Sequence, residues 1–148
     1  MAFYSFIVHL HSIFRYIVLL FVLIVIIKSL KGIISRSVFT PSDRKFSLLA
    51  LIFFHTQMLG GLLLYFISPK VLFIKGALSA PVVRFFTAEH ITAMLVAVVL
   101  ITFGYSKAKK APELNGHKII FWYYVIATIF VMAAIPWPFM TYLGSKWF

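Results

Sequence analysis

Four apolar runs, each long enough to cross a bilayer and separated by basic connections, occupy nearly the whole chain. A membrane-spanning helix needs about 20 consecutive, mainly apolar residues, and the runs place such helices at about 3–27, 45–67, 82–105 and 118–135. With 63% hydrophobic and only 11% charged side chains, the chain carries more apolar surface than one small water-soluble core can enclose. Short connections favour antiparallel neighbours. The expected fold is therefore all-α, an integral membrane four-helix up-and-down bundle forming one domain from 1 to 148.

The net charge of +11 comes from 14 Lys and Arg against three acidic residues. In a soluble protein that excess would suggest nucleic acid. Here the charges lie between the apolar runs, so they report orientation, and no nucleic-acid partner is expected. Lys28, Lys31, Arg36, Arg44 and Lys45 flank the first connection, and Lys107, Lys109, Lys110 and Lys118 flank the third. These nine mark a cytoplasmic face, against Lys70, Lys75, Arg84 and Lys146 on the other side. Both termini are then expected outside the cytoplasm. Nothing positive precedes the first run, which is also too long for a signal h-region, so the first helix is expected to stay in the mature protein.

Local signals set the helix ends. Thr40-Pro41-Ser42-Asp43 combines a capping hydroxyl, a proline at the first helical position and an acid at the positive helix terminus. Ser68-Pro69 stops the second helix, Pro81 opens the third, and Pro136-Trp137-Pro138 closes the fourth. Trp122, Tyr123 and Tyr124 at one end and Trp137, Tyr142 and Trp147 at the other read as aromatic belts. The apolar stretch 71–80, too short to span, reads as an interfacial or re-entrant segment. Gly60, Gly61, Ala93 and Ala97 are the expected points of close helix approach.

The chain has no cysteine, which excludes disulfides, thiolate metal sites, iron–sulfur clusters and cysteine nucleophiles. Any metal is left to His, Met or oxygen. Ionisable residues inside a bilayer are expensive and face the bundle interior; here they are His11, Arg15, His55, Glu89 and His90. His11 and Arg15, four apart, share a helix face. His9 points elsewhere and reads as an interfacial side chain. Counted from the helix centres, His11 and His90 lie at matching depth, roughly 6 Å to one side, with His55 roughly 9 Å deeper. Imidazoles from different helices are what the iron of haem b takes as axial ligands, and its propionates seek a cation such as Arg. His11 and His90 are thus the expected iron ligands, with His55 as the alternative to either. Arg15 is a partner for a propionate or for Glu89, and Glu89, read as buried beside His90, is a candidate proton relay. The same residues equally suit a structural polar network. Met58 and Met94, one turn from His55 and His90, read as core filling rather than copper ligands. His117, in the basic connection with Glu113 and Lys118, reads as a solvated helix start without a role.

The segments LHSIFRY, HTQMLGGLLLYFISP, RFFTAEHITAMLVAVVLITFGYSK and IPWP resemble a family of short bacterial four-helix membrane proteins catalogued as cytochrome b-like. The resemblance covers essentially the whole chain and falls on His11, Arg15, His55, Glu89 and His90. It implies a bacterial inner-membrane electron carrier holding haem b, with quinone as the natural exchange partner. A weaker likeness, in length and in a histidine in the outer part of the first helix, is to the four-helix membrane protoporphyrinogen oxidase. Two alternatives follow: a non-redox accessory subunit of a larger membrane complex, with a buried His/Arg/Glu network, and a porphyrinogen or quinol oxidoreductase.

Overall fold

The structure is a computed structural model that describes residues 2–112 and 114–144. Four helices fill it: α1 (Ala2–Ile34), α2 (Pro41–Ile67), α3 (Pro81–Lys110) and α4 (Gly116–Ala134). All four are long and apolar enough to cross a membrane. Each packs on its neighbours in chain order, and α4 closes the ring against α1, so the expected up-and-down bundle forms. Its surface is inverted relative to a soluble bundle: Leu59, Phe103 and Ile129, all within helices, are more than half exposed. Such a surface belongs in lipid, and the chain is a multi-pass membrane protein.

The helix ends follow local chemistry. At α2, the Thr40 side chain accepts from the Asp43 backbone N–H (3.3 Å) while Asp43 accepts from the Thr40 backbone N–H (3.0 Å), a reciprocal cap with Pro41 at the first turn. Helix α1 runs through Lys28 and Lys31 to Ile34, one to two turns past the apolar run. Continuing the helix satisfies backbone groups, and Lys28 finds Asp43 at 3.2 Å. Glu113, Lys146 and Trp147 lie outside the described residues.

The core is divided along its length. At the basic end, which carries the 35–40 and 111–115 connections, Val25, Ser47, Ile101, Ile120 and Tyr124 are fully buried. Tyr124 crosses from α4 to α2, where its hydroxyl donates to the Ser47 carbonyl at 2.9 Å. It is a core residue, which corrects its placing in an aromatic belt: a phenol that reaches a carbonyl is bound more firmly inside than at the interface. Trp122, 59% exposed, does sit at the surface.

His117 is likewise corrected. Only 3% exposed, it lies in a slot between α1 and α4 that exists because Gly32 has no side chain; a Cβ there would overlap the imidazole. The Phe39 ring meets it edge-on at 5.1 Å, and its Nε2 is 3.8 Å from Asp43. Gly104 is likewise packed tightly, against Tyr123, and Gly116 against Phe39, while of the four small residues expected at close approaches Gly61 lies against the His11 ring and Ala97 is fully buried.

Segment 68–80 crosses the opposite end in irregular turns, with Phe73 and Ile74 at least 70% exposed. It neither spans nor re-enters the bundle. Gly32→Val should force apart the α1–α4 contact, an overpacking cost of about 1–3 kcal/mol, read as a lower melting temperature of the detergent-solubilised protein.

Candidate functional site

The half of the bundle that holds the termini is hollow. A cavity of about 320 Å³ opens there, walled by all four helices and by segment 68–71. Most of its lining is apolar, including Val18, Phe54, Ile91 and Val131, and into it project His11, Arg15 and His90. The volume lies at the lower end of the range for small-molecule sites.

His90 enters from α3 directly after a π-helical turn at Phe85–Glu89. The His90 N–H bonds the Phe85 carbonyl, five residues back. This wider turn gives up regular α-helical pairing, and such turns recur at functional positions. Here Tyr65 of α2 donates its hydroxyl to the Thr87 carbonyl at 2.8 Å, while the Thr87 hydroxyl accepts from the Leu72 N–H at 3.2 Å. The turn is thereby tied to α2 and to the 68–80 segment. The ring of His90 is held as firmly, because its Nδ1 lies 2.7 Å from the Ala134 carbonyl at the end of α4. A carbonyl only accepts, so Nδ1 carries the proton and Nε2 presents a lone pair. This is how metal-ligating histidines are commonly oriented.

His11 comes from the facing side, on α1. Its Nδ1 is buried and has no hydrogen-bond partner among the described residues. The ring rests on the glycine step of α2, where a Cβ at Gly61 would lie 3.1 Å from its Cε1. Gln57 donates to the His11 backbone carbonyl at 2.9 Å, fixing α1 against α2 at this level. His11, His90 and Arg15 all line this one cavity. Arg15, one turn along from His11, donates to the Tyr16 hydroxyl at 2.9 Å and stacks on that ring.

The structure thus brings together three of the five residues singled out by sequence and separates two. His55 does not border the cavity. Its Nδ1 donates to the Leu51 carbonyl at 2.9 Å, and its Nε2 faces the Thr102 hydroxyl of α3 at 3.4 Å, so it serves the α2–α3 contact. Glu89 turns outward, is half exposed, and pairs with Arg84 at 2.7 Å. The expected burial of Glu89 and its pairing with Arg15 are both corrected, since the π turn rotates it off the inner face while His90 points in. His9 is exposed and bonded to the Ser5 carbonyl of its own helix.

Sequence reasoning passed over Gln57, Tyr65 and Lys70. Gln57 carried the same signal as the histidines, an amide inside an apolar run, and burial cost alone could have found it. Lys70 was counted only as a charge. It lines the cavity, and burial pulls its pKa below the ordinary lysine value.

No group of three or more His, Cys, Asp or Glu that could hold a bare metal ion occurs among the described residues. What the site offers is two imidazoles on opposed helices over an apolar hollow. Compared with family models, curated proteins and solved structures, the chain finds no match.

Proposed function

We propose that the chain is a haem b protein of the bacterial inner membrane, with His11 and His90 as the two axial ligands and electron transfer as its task. The observation that supports it is that His90, whose Nδ1–H is committed to the Ala134 carbonyl so that Nε2 is left as a lone pair, and His11, whose buried Nδ1 has no hydrogen-bond partner among the described residues, line one cavity from different helices. The donor set fits the group. Haem b would supply a one-electron couple, set by its axial ligands and surroundings.

The residues of the chain have separate tasks in this reading. Ala134 and Gln57 hold the two ligand-bearing positions, through the His90 ring and the His11 backbone respectively. The glycine step at Gly60 and Gly61 leaves room for a flat macrocycle beside His11. Arg15 places a fixed positive charge on the cavity wall, which favours the reduced, less positive state of a bound iron. The apolar lining keeps water out. A tetrapyrrole exceeds the enclosed volume, so its rim would pass between helices toward lipid, where quinone, the proposed exchange partner, resides. The basic connections face the cytoplasm and both termini the other side, in keeping with the charge asymmetry.

The structural-network alternative loses its central contact, because Glu89 pairs with Arg84. Purified from haem-supplied cells, the protein should show a reduced-minus-oxidised spectrum of a two-imidazole haem b. His11→Ala and His90→Ala should each lose it, with partial recovery in added imidazole, and His55→Ala should keep it. A normal spectrum in both ligand variants overturns the assignment. Gly61→Leu, which fills the space against the His11 ring, should lower haem occupancy at least tenfold with little change in melting temperature, measured as pigment per protein.

A further inference from the structure

The cavity has a mouth, and one cation stands in it. Lys70, three residues past the end of α2, turns its side chain back over the bundle and lines the same cavity as His11 and His90. Its ammonium donates to the Leu143 carbonyl at 2.9 Å and lies 4.8 Å from the centre of the Phe86 ring. The Phe86 ring in turn is 6.3 Å from that of His90. The ammonium is therefore one aromatic ring away from the proposed iron ligand.

An ammonium has three donors, and among the described residues only the Leu143 carbonyl accepts from this one. Among the described residues no side-chain carboxylate pairs with it. Asp43 lies at the basic end with Lys28, Glu89 is held by Arg84, and Glu113 belongs to the connection at the basic end. The ammonium is partly buried, so it is only partly hydrated, and its surroundings hold it over the bundle. The Lys70 backbone N–H bonds the Ser68 hydroxyl (3.2 Å), which also meets the Tyr4 hydroxyl of α1 (3.3 Å). Gly144, in a left-handed turn, brings the C-terminal segment to within contact of the ammonium. Helices α1, α2 and α3 and the C-terminal segment thus all converge on one lysine.

We infer that Lys70 is the carboxylate anchor of this site: it pairs with a propionate of the porphyrin at the cavity mouth and sets which edge of the macrocycle faces out. The inference rests on the haem reading and adds to it the polar end of the ligand and its direction of entry. Arg15, deeper in the wall and engaged by Tyr16, is left to act through its charge.

The test is a titration of the full-length protein in detergent with haem b and with its dimethyl ester, which keeps the ring and the iron but removes both negative charges. Wild type should bind the ester roughly tenfold more weakly, the scale of one charge-assisted pair. Lys70→Met should weaken haem b by a similar factor and then show no further penalty for the ester, whereas Lys70→Arg should restore the preference for the acid. Equal binding of acid and ester by wild type overturns the anchor. So does an undiminished ester penalty in Lys70→Met, which is what a lysine that only braces the Leu143 segment would give. A wild-type protein that takes up neither compound with a two-imidazole spectrum overturns the haem reading and the anchor together.

Discussion

No water reaches the middle of a bilayer, so each polar group carried there must find its partner inside the chain. The rest of the structure depends on how that demand is met. In one half of the bundle it is largely met: the Tyr124 hydroxyl reaches the Ser47 carbonyl and Lys28 meets Asp43, while the ring nitrogens of buried His117 have no hydrogen-bond partner among the described residues, Nε2 lying 3.8 Å from Asp43. In the other half Ser12, Gln57 and the two histidines border a hollow, and the Nδ1 of His11 is left over. An apolar side chain at any of these positions would be cheaper. Their presence around empty space is what distinguishes a binding site from a core.

The two halves also differ in how their helices meet. At the basic end glycines let large rings settle between helices: Gly32 receives His117, Gly104 receives Tyr123 and Gly116 receives Phe39. Volume taken from one side chain is returned by another, and the result is a close-packed interior. At Gly61 the space freed is taken up in part by the His11 ring, and the same glycine borders the cavity. The same device, a glycine on a helix face, serves density in one place and access in the other.

Much of this was legible from the residues. The four apolar runs determine the number of helices, and the Thr40 to Asp43 cap appears as its sequence indicates. His11 and His90 border one cavity, in keeping with the equal depth that counting along the helices gives them. Glu89 and His117 were misread for a common reason. Depth can be counted, but the direction a side chain faces depends on helix rotation. At Glu89 the five-residue turn changes that rotation; at His117 a glycine on another helix buries what its own neighbourhood would leave solvated. Neither the extra residue in a turn nor a glycine opposite is written into the local pattern of apolar positions. Lys70 escaped notice because its segment is irregular, and nothing periodic announces where such a chain folds back.

The π turn has a consequence for how this helix tolerates change. Such a turn holds one residue more than the α-helical path it replaces, so α3 is one rod carrying two registers. Within it, Phe86 borders the cavity and Thr87 is tied to the 68–80 segment; downstream, His90 and Met94 border the hollow. Loss of a single residue there would let the helix revert to ordinary winding with both flanks near their present rotation, whereas rewinding the same residues as α-helix would turn the part before the turn by about 100° relative to His90. His90 would stay where it is. The rim of the site is carried by the turn itself and its floor by the regular helix after it, so the winding of the turn alters what is admitted while the histidine that would receive it keeps its place.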